Sequence, residues 1–420
     1  MIRSTRLDNG IQVLSENMPG VRSVSLGCWF KSGSRHEPVD RNGITHFVEH
    51  MLFRGTSRRS PHKIAREIDA VGGLLNAFTS QEFCCLYSKV QGAKLPLALD
   101  LLADLLLNSS FAPEEIDKER RVIGQELHMV EENPEDRVHD LFNMLFWQGH
   151  GLGRPTAGTV EDLGRFDRDT LVDWHQSRFT SDRLMICAAG DVDHDDLVDL
   201  AGRLFASLSA GELDLAEPPP GARRQTSIER RELEQVHFCL GTAGLSQTHP
   251  DRFAAFILNA ILGGSMSSRL FQVIREQHGL AYAIHSGLNT YLDTGNLVVS
   301  CATAPSDWRA ALRLTLEQLA DLRARPVDQG VLDDTRESLK GNLVLSLEST
   351  DNRMTRLARN EYYLGRQVDI DSILEAFDRV FVADVQRVAR DLFRPDSLVL
   401  QLLGPVDDEA STVLDLLGFP

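Results

Sequence analysis

Two histidines and a glutamate lie within five consecutive residues, His46-Phe47-Val48-Glu49-His50. If this stretch is helical, the Cβ atoms of His46 and His50 are ~5–6 Å apart, so both imidazoles can reach one Zn²⁺ ion. Glu49 then projects to the same side, where it can take a proton from a metal-bound water. The alternative is an exposed helix face that holds two histidines by chance, which is expected on the order of 0.03 times in such a chain. The spacing therefore favours a catalytic zinc site.

The residues around this motif predict the helix that would carry it. Over residues 42–53, apolar side chains recur at helical spacing and form one stripe, as in a helix packed against a core. The stripe consists of Ile44, Phe47, Val48, Met51 and Leu52. At ~100° per residue, the two histidines, Glu49 and Phe53 fall on the opposite face. The pattern predicts a helix with one apolar face and one face suited to chemistry.

A catalytic zinc ion needs a third protein ligand and an open position. Residues 113–132 begin with proline and stop before Asn133-Pro134, which predicts a second helix. Glu119 and Glu126 are seven residues apart at the edge of its apolar stripe. Burying two carboxylates is costly unless they bind a cation or share a proton, so both are candidates for the metal site. The alternative is that both are exposed residues at the border of the stripe.

The string from His46 to Thr56 resembles the signature of the pitrilysin family of inverted-motif (HxxEH) zinc metallopeptidases, which includes insulysin and the mitochondrial processing peptidase. The similarity runs along the whole chain and indicates a short, two-domain, bacterial-type member. It implies one zinc ion per chain, with these protein ligands: His46, His50 and Glu126. It also implies that Glu49 is the general base and that Glu119 supports a metal ligand.

The resemblance assigns substrate-binding residues as well. Residues 72–79 indicate a helix stop followed by a strand, which the family uses as a sheet edge that pairs with an extended peptide. Asn76 and Ala77 would contact the substrate there, Asn76 through a substrate carbonyl, and Phe53 would line the same site. Edge pairing tolerates many sequences because backbone hydrogen bonds supply the affinity. The alternative is an ordinary core strand.

In the second half of the chain, Arg275 and Tyr282 have the spacing of an arginine–tyrosine pair found in the family. The resemblance implies that this pair contacts the substrate and the developing oxyanion opposite the zinc ion. From the residues alone, Arg275 is a cation in the last turn of a helix, where it interacts favourably with the helix dipole. Tyr282 alone would be a core aromatic residue.

A chain of 420 residues suits two domains of about 200 residues each. Three consecutive prolines, Pro218 to Pro220, predict a linker over residues 217–226. We therefore expect an N-terminal catalytic zinc-binding domain over residues 1–216 and a homologous C-terminal domain over residues 227–420. A weak internal repeat with an offset of 211 residues supports duplication. At the repeat positions of His46, Glu49 and His50, the second half has Ile257, Ala260 and Ile261, so this half would bind no metal.

Short apolar segments alternate with longer helical patterns in both halves. Strands are predicted at residues 24–30, 74–90, 184–189 and 236–240, with a hairpin through Asp8-Asn9-Gly10. Further helices are predicted at residues 61–71, 95–107 and 168–178. The pattern favours the α+β class, with two tandem, structurally similar α/β sandwich domains whose helices pack on a mostly antiparallel sheet.

Composition restricts the partners and the compartment. The 44 basic and 61 acidic residues give a net charge of −17, which argues against binding to nucleic acid or to a membrane surface. Six cysteines without a CxxC pair indicate unpaired thiols in a reducing compartment. Because the chain also starts with a hairpin pattern rather than a leader, we expect a cytoplasmic protein.

These observations predict a zinc metalloendopeptidase, a peptide-bond hydrolase that cleaves extended peptides or small unfolded polypeptides inside a closed chamber. The alternative is a non-catalytic scaffold or assembly subunit of the same fold. A structural zinc site is disfavoured because such sites normally have four protein ligands. The resemblance implies a homodimer with a composite active site, since longer family members close four such domains around a chamber and this chain has two. The alternatives are a site formed within one chain and a partner subunit of different sequence.

Overall fold

The computed structural model describes residues 1–211 and 217–418, which form two compact units. The first unit consists of Met1–Met129, Arg154–Glu217 and Ser346–Gln367. The second consists of Val130–Gly153, Pro218–Leu345 and Val368–Pro420. The end of the predicted N-terminal domain, residues 212–216, lies outside the described residues.

The regular elements alternate between strands and helices along both halves. The strands are β1 (Ile2–Arg6), β2 (Gln12–Asn17), β3 (Ser23–Phe30), β4 (Leu74–Thr79), β5 (Cys84–Gln91), β6 (Leu184–Gly190), β7 (Gln225–Arg230), β8 (Val236–Ala243), β9 (Ala281–Thr290), β10 (Gly295–Thr303) and β11 (Val399–Gly404). The helices are α1 (Ile44–Leu52), α2 (Pro61–Asp69), α3 (Leu95–Asn108), α4 (Pro113–Glu132), α5 (Pro134–Phe146), α6 (Val160–Arg165), α7 (Arg168–Arg178), α8 (His194–Leu204), α9 (Arg252–Gly263), α10 (Trp308–Ala324), α11 (Gln329–Ser346), α12 (Thr350–Leu364), α13 (Ile370–Asp378), α14 (Val382–Leu392) and α15 (Ala410–Leu416). A π-helix covers Phe271–Gln277, and short 3₁₀ helices lie at Ser34–His36, Val39–Arg41, Gly92–Lys94, Gly151–Gly153 and Pro395–Ser397.

The first unit is built on a six-stranded sheet in the order β1-β2-β6-β3-β5-β4. All neighbouring strands are antiparallel except β2 and β6, which are parallel. Alternate residues of each strand face opposite sides of the sheet, so β3 contributes Leu26 and Phe30 to one apolar layer and Trp29 to the other. Helices α1, α3, α7 and α8 form the first layer. A sheet with two apolar faces needs a cover on both sides.

Helix α12 supplies that second cover. Met354 and Leu357 are buried against Trp29 and Met185 on the face opposite α1. The approach is close at Gly27, where a Cβ atom would lie 2.9 Å from the Met354 sulfur. A segment from the second half of the chain is therefore part of the core of the first unit.

The second unit repeats this plan. Its sheet has the order β7-β11-β8-β10-β9, and only β7 and β11 are parallel. This order corresponds strand by strand to β2-β6-β3-β5-β4 of the first unit. Helices α9, α10 and α14 cover one face, and α5 from the first half covers the other with Val138, Phe142 and Phe146. The predicted fold class, two similar α/β sandwiches of the α+β type, is confirmed.

The units thus differ from contiguous domains over residues 1–216 and 227–420. Segment 130–153 belongs to the second unit, and segment 346–367 belongs to the first. The physical reason is the second apolar face of each sheet, which a helix from the other half of the sequence covers. The predicted linker is non-helical up to β7, whose first residue is Gln225.

Most predicted elements agree with the structure to within two residues. The strand predicted at residues 236–240 continues to Ala243. Residues 74–90 are the larger exception, because they are predicted as one strand and found as the hairpin of β4 and β5. Its turn contains neither glycine nor proline and is closed by Ser80, whose N–H donates to the Phe83 carbonyl over 2.7 Å. Within residues 1–211 and 217–418, no helix combines the length and apolar character needed to cross a lipid bilayer.

Replacing Leu357 with alanine should lower the free energy of unfolding by ~2–5 kcal/mol, because a fully buried side chain in the second layer leaves a cavity. Arg359→Ala on the exposed side of the same helix is the control and should cost less than ~1 kcal/mol. Urea unfolding of both variants measures the difference. Equal values would show that α12 does not contribute to this core.

Candidate metal centre

The N-terminus of α1 is fixed by a buried carboxylate rather than by its own cap residue. Gly43 precedes the helix at φ 85°, and a Cβ atom there would lie 2.5 Å from the Ala157 carbonyl oxygen. The Glu37 carboxylate accepts hydrogen bonds from the backbone N–H groups of Gly43 (2.7 Å) and Thr45 (2.8 Å). Burial raises the pKa of Glu37 to about 7, and the hydrogen bonds from Thr45 and Gly43 oppose that rise. These contacts therefore fix the position of the N-terminus of α1, the helix that carries the motif.

The apolar stripe of α1 is fully buried, as its spacing predicted. Helix α7 contacts α1 as well, since the Trp174 indole N–H donates to the Thr45 hydroxyl over 3.1 Å. With this face buried, the side chains of His46, Glu49 and His50 lie together on the other face. That face is only partly open to solvent, because Glu49 is buried and the two histidine side chains are 18% and 17% exposed.

Helix α4 brings its two glutamates to these histidines in different ways. Glu119 is buried, and its Oε2 atom lies 2.9 Å from His50 Nδ1 while Oε1 forms an ion pair with Arg54. Glu126 is half-exposed, and its Oε2 atom lies 3.4 Å from His50 Nε2 and 3.9 Å from His46 Nε2. Glu119 thus contacts His50 at Nδ1, and Glu126 faces the Nε2 atoms of both histidines.

The geometry of His46, His50 and Glu126 fits a zinc ion. One ligand atom from each of the three lies within 4.8 Å of the others, and no other such group occurs among residues 1–211 and 217–418. In a tetrahedral site with bonds of ~2.0–2.2 Å, ligand atoms are ~3.3–3.6 Å apart. The distances of 3.4 and 3.9 Å between the histidine nitrogens and Glu126 are close to that spacing. Two imidazoles and one carboxylate with an open side are the donor set of a catalytic site.

The two histidines differ in their electrostatic environment. Burial, assisted by the charge of His50, lowers the pKa of His46 to about 4, so its ring is neutral and can offer a lone pair. Burial also acts to lower the pKa of His50, but the hydrogen bond to Glu119 and the charge of Glu126 raise it above its ordinary value. The Glu119 contact at Nδ1 leaves Nε2 of His50, which faces Glu126, free to bind a metal ion.

Glu49 lies beside the three candidate ligands without belonging to their cluster. Its Oε2 atom accepts a hydrogen bond of 2.5 Å from the Thr79 hydroxyl. Burial raises the pKa of Glu49, and the contacts with Thr79 and His50 oppose this rise. A raised pKa suits a group that must accept and release protons near neutral pH.

Comparison with known proteins agrees with this geometry. The family model described as Insulinase (Peptidase family M16) matches residues 12–160, and the one described as Peptidase M16 inactive domain matches residues 165–339. The chain belongs to peptidase family M16. The predicted resemblance to the pitrilysin family is thereby confirmed.

Three known proteins illustrate the similarity. "Uncharacterized zinc protease YmxG" of Bacillus subtilis (strain 168) is 39% identical over 405 residues, covering 96% of this chain and 98% of that protein. A protease from Helicobacter pylori has the same fold, with a TM-score of 0.89 at 21% identity over 96% of this chain and 99% of its own. A chain of Complex III2 from Candida albicans, bound to Inz-5, also has this fold, with a TM-score of 0.85 at 19% identity over 99% and 100% of the two chains.

The predicted substrate residues of this M16 chain lie near the metal centre on α1 and β4. Phe53 caps the C-terminus of α1 and is half-buried against the core. Strand β4 ends the strand order, so among the described residues only β5 pairs with it. Asn76 is exposed on β4, and its side-chain oxygen accepts a hydrogen bond of 2.9 Å from the Ala77 N–H. The edge is present, and the substrate roles of Phe53, Asn76 and Ala77 stay predictions.

Arg275 and Tyr282 lie in the second unit, in direct contact with each other. Arg275 belongs to the π-helix, and its guanidinium carbon is 4.7 Å from the Phe271 ring centroid and 4.6 Å from that of Tyr282. Tyr282 is 79% exposed near the start of β9, which is not the environment of a core aromatic residue. The structure brings the two residues together, and their catalytic role stays a prediction.

Sequence reasoning did not identify three residues of this centre: Glu37, Arg54 and Thr79. Each acts through a contact that no local pattern shows. Gly43 offered an indirect signal for Glu37, because a helix that starts after glycine lacks a side-chain cap and needs an acceptor from elsewhere. Arg54 lies inside the motif string, yet its partner is 65 positions away. Thr79 carried no signal.

Exchanging Glu126 for glutamine should leave the purified protein nearly free of zinc, because it removes a ligand that faces both histidines. Glu119→Gln should weaken zinc binding only ~10–100-fold, because Glu119 orients His50 without reaching the ion. Elemental analysis and chelator competition measure both, with the exposed Glu114→Gln on the same helix as control. The reverse order of zinc contents would exchange the two roles.

Proposed function

We propose that this chain is a zinc-dependent endopeptidase that hydrolyses extended peptides or small unfolded polypeptides. The observation that carries the proposal is the convergence of His46, His50 and Glu126 at zinc-ligand spacing, with Glu49 beside them. The name of the Bacillus subtilis relative, a zinc protease, supports the same chemistry. The cofactor is one Zn²⁺ ion per chain.

Each residue has a distinct role in this mechanism. His46, His50 and Glu126 would hold the zinc ion, which would supply Lewis-acid chemistry to the scissile carbonyl and to water. Glu49 takes the proton from the attacking water and delivers it to the leaving amine. Glu119 holds the His50 ring so that Nε2 faces Glu126 and the metal position. The low solvent exposure of the site strengthens these polar interactions.

Peptide binding is assigned to the edge of β4. A substrate added there in extended form would use the backbone groups of Asn76 and Ala77 as hydrogen-bond partners. The Asn76 side chain occupies the Ala77 N–H in the structure, so it would move to a substrate carbonyl when a peptide binds. Phe53 would line the site at the end of α1.

The alternative is a non-catalytic scaffold of the same fold. The fold alone does not distinguish an enzyme from a scaffold, because both a protease from Helicobacter pylori and a chain of Complex III2 have it. The complete set of three candidate ligands and an adjacent buried glutamate favours the enzyme, because a scaffold does not need them. A purely structural zinc site is also disfavoured, since three ligands leave a position open.

We further propose a homodimer with a composite active site inside a closed chamber, and a cytoplasmic location. Arg275 and Tyr282 would stabilise the oxyanion at the zinc site of the other copy, which the high exposure of Tyr282 supports. The cytoplasmic location is supported by the six cysteines, which are all buried and unpaired.

Glu49→Gln should keep zinc and lower peptide hydrolysis by ~10²–10⁴, because the isosteric amide cannot accept the proton. Zinc content and turnover of a quenched fluorescent peptide library are measured together, with Glu114→Gln as the control for an exposed carboxylate. Near-normal turnover in the zinc-loaded variant would remove Glu49 from the role of base.

Mixing two inactive variants tests the composite site. Glu49→Gln chains and Tyr282→Phe chains are each expected to be inactive alone, but exchange of subunits creates one site with both residues intact. Activity should therefore return after mixing, to at most half of the wild-type level, because one of the two sites in each heterodimer is intact. If mass spectrometry confirms heterodimers and activity stays absent, the site is not shared in this way.

A further inference from the structure

The hydrogen bond between Thr79 and Glu49 connects the peptide-binding strand β4 with the general base, which the proposed function treats separately. Thr79 is the last residue of β4, and its hydroxyl donates to Glu49 Oε2 over 2.5 Å. Among the described residues, no other group donates a hydrogen bond to the Glu49 carboxylate. We propose that Thr79 is a positioning residue that holds the general base and links it to the peptide-binding strand. This inference rests on the proposed function.

A buried general base needs such a donor. Glu49 is buried, and a buried carboxylate oxygen without a hydrogen-bond partner is costly, so the Thr79 hydroxyl supplies the partner of Oε2. Tying Oε2 also fixes the rotation of the carboxylate and leaves Oε1 for the attacking water. Threonine suits this task because its branched Cβ restricts the side-chain rotamer.

The position of Thr79 is itself fixed by the hairpin. It pairs with Cys84 of β5, and the next residue, Ser80, closes the turn through Phe83. The Ser80 carbonyl also accepts a hydrogen bond of 3.0 Å from the Ser34 N–H. The hydroxyl is therefore presented from a rigid corner at the end of β4.

This corner connects substrate binding to the base. Along β4, the side chains of Ala77 and Thr79 point to the same face because strand residues alternate. A peptide paired with the open edge of β4 would lie at a fixed register relative to Thr79. Since Thr79 holds Glu49, the register of the peptide and the location of the base are set by one element. A shift of the strand would misplace both together.

Thr79→Val tests the proposal, because valine keeps the shape and removes the hydroxyl. We expect kcat to fall roughly 10- to 100-fold, the effect of losing a hydrogen bond to a charged group, with KM changed less than about twofold. Zinc content and melting temperature should stay close to wild type. Thr79→Ser should restore most of kcat, because serine keeps the donor. If the valine variant does not fold, Thr79→Ala replaces it.

Ser88→Ala is the matched control. Ser88 lies on β5, is buried, and donates a hydrogen bond of 2.8 Å to the Leu74 carbonyl of β4. Its loss perturbs the same hairpin by one hydroxyl without touching Glu49. We expect kcat of this variant to remain within about twofold of wild type. A fall equal to that of Thr79→Val would mean that the strand, and not the contact with the base, is responsible.

A double variant provides the second readout. In a Glu49→Asp background, the shortened carboxylate no longer reaches the hydroxyl, so adding Thr79→Val should change kcat less than about twofold. The proposal would be overturned if the two losses of kcat multiply in the double variant, or if Thr79→Val alone leaves kcat unchanged. In either case, peptide hydrolysis by the wild-type protein would still support the proposed function. An inactive, zinc-loaded wild-type protein would instead overturn the proposed function and this role with it.

Discussion

Three side chains from two helices can share one ion only if the helices are held at a fixed separation, and the buried carboxylate of Glu119 supplies that constraint. It contacts His50 of α1 on one oxygen and Arg54 just beyond α1 on the other. A buried carboxylate that lost these partners would cost several kcal/mol, so α4 cannot move away from α1 without a large penalty. The distances from Glu126 to both imidazoles follow from this contact.

The separation is maintained because α1 is also anchored on its apolar face and at its N-terminus. The fully buried stripe of α1 packs on the first sheet, and Glu37 holds its first turn. The sheet is in turn supported on its other face by α12, through a buried network in which Glu82 bonds both Arg35 and Tyr363. The 3₁₀ turn that contains Arg35 leads directly to Glu37. The support of the candidate metal centre therefore extends through the sheet to α12, which starts 306 residues after the start of α1.

This distribution explains what the sequence could predict. The spacing of His46, Glu49 and His50 and the boundaries of α1 and α4 are local, so helical periodicity was sufficient to locate them. The contacts of Glu37, Thr79 and Tyr363 join residues with no sequence relation, and no periodic pattern encodes them. The exchange of α5 and α12 between units was missed for the same reason. An amphipathic helix shows that it needs an apolar partner but not which sheet provides it.

The second unit shows what the fold requires without a metal. Its strands follow the same order, and α9 takes the place of α1, with Ile257 and Ile261 buried where a repeat of 211 residues puts the counterparts of the histidines. A helix in this position can therefore be apolar on that face as well, at no cost to the architecture. In the first unit, the same position holds two histidines and a buried glutamate, which are less favourable to bury than isoleucine. Stability does not account for these polar residues, so they are best explained by the chemistry of the site.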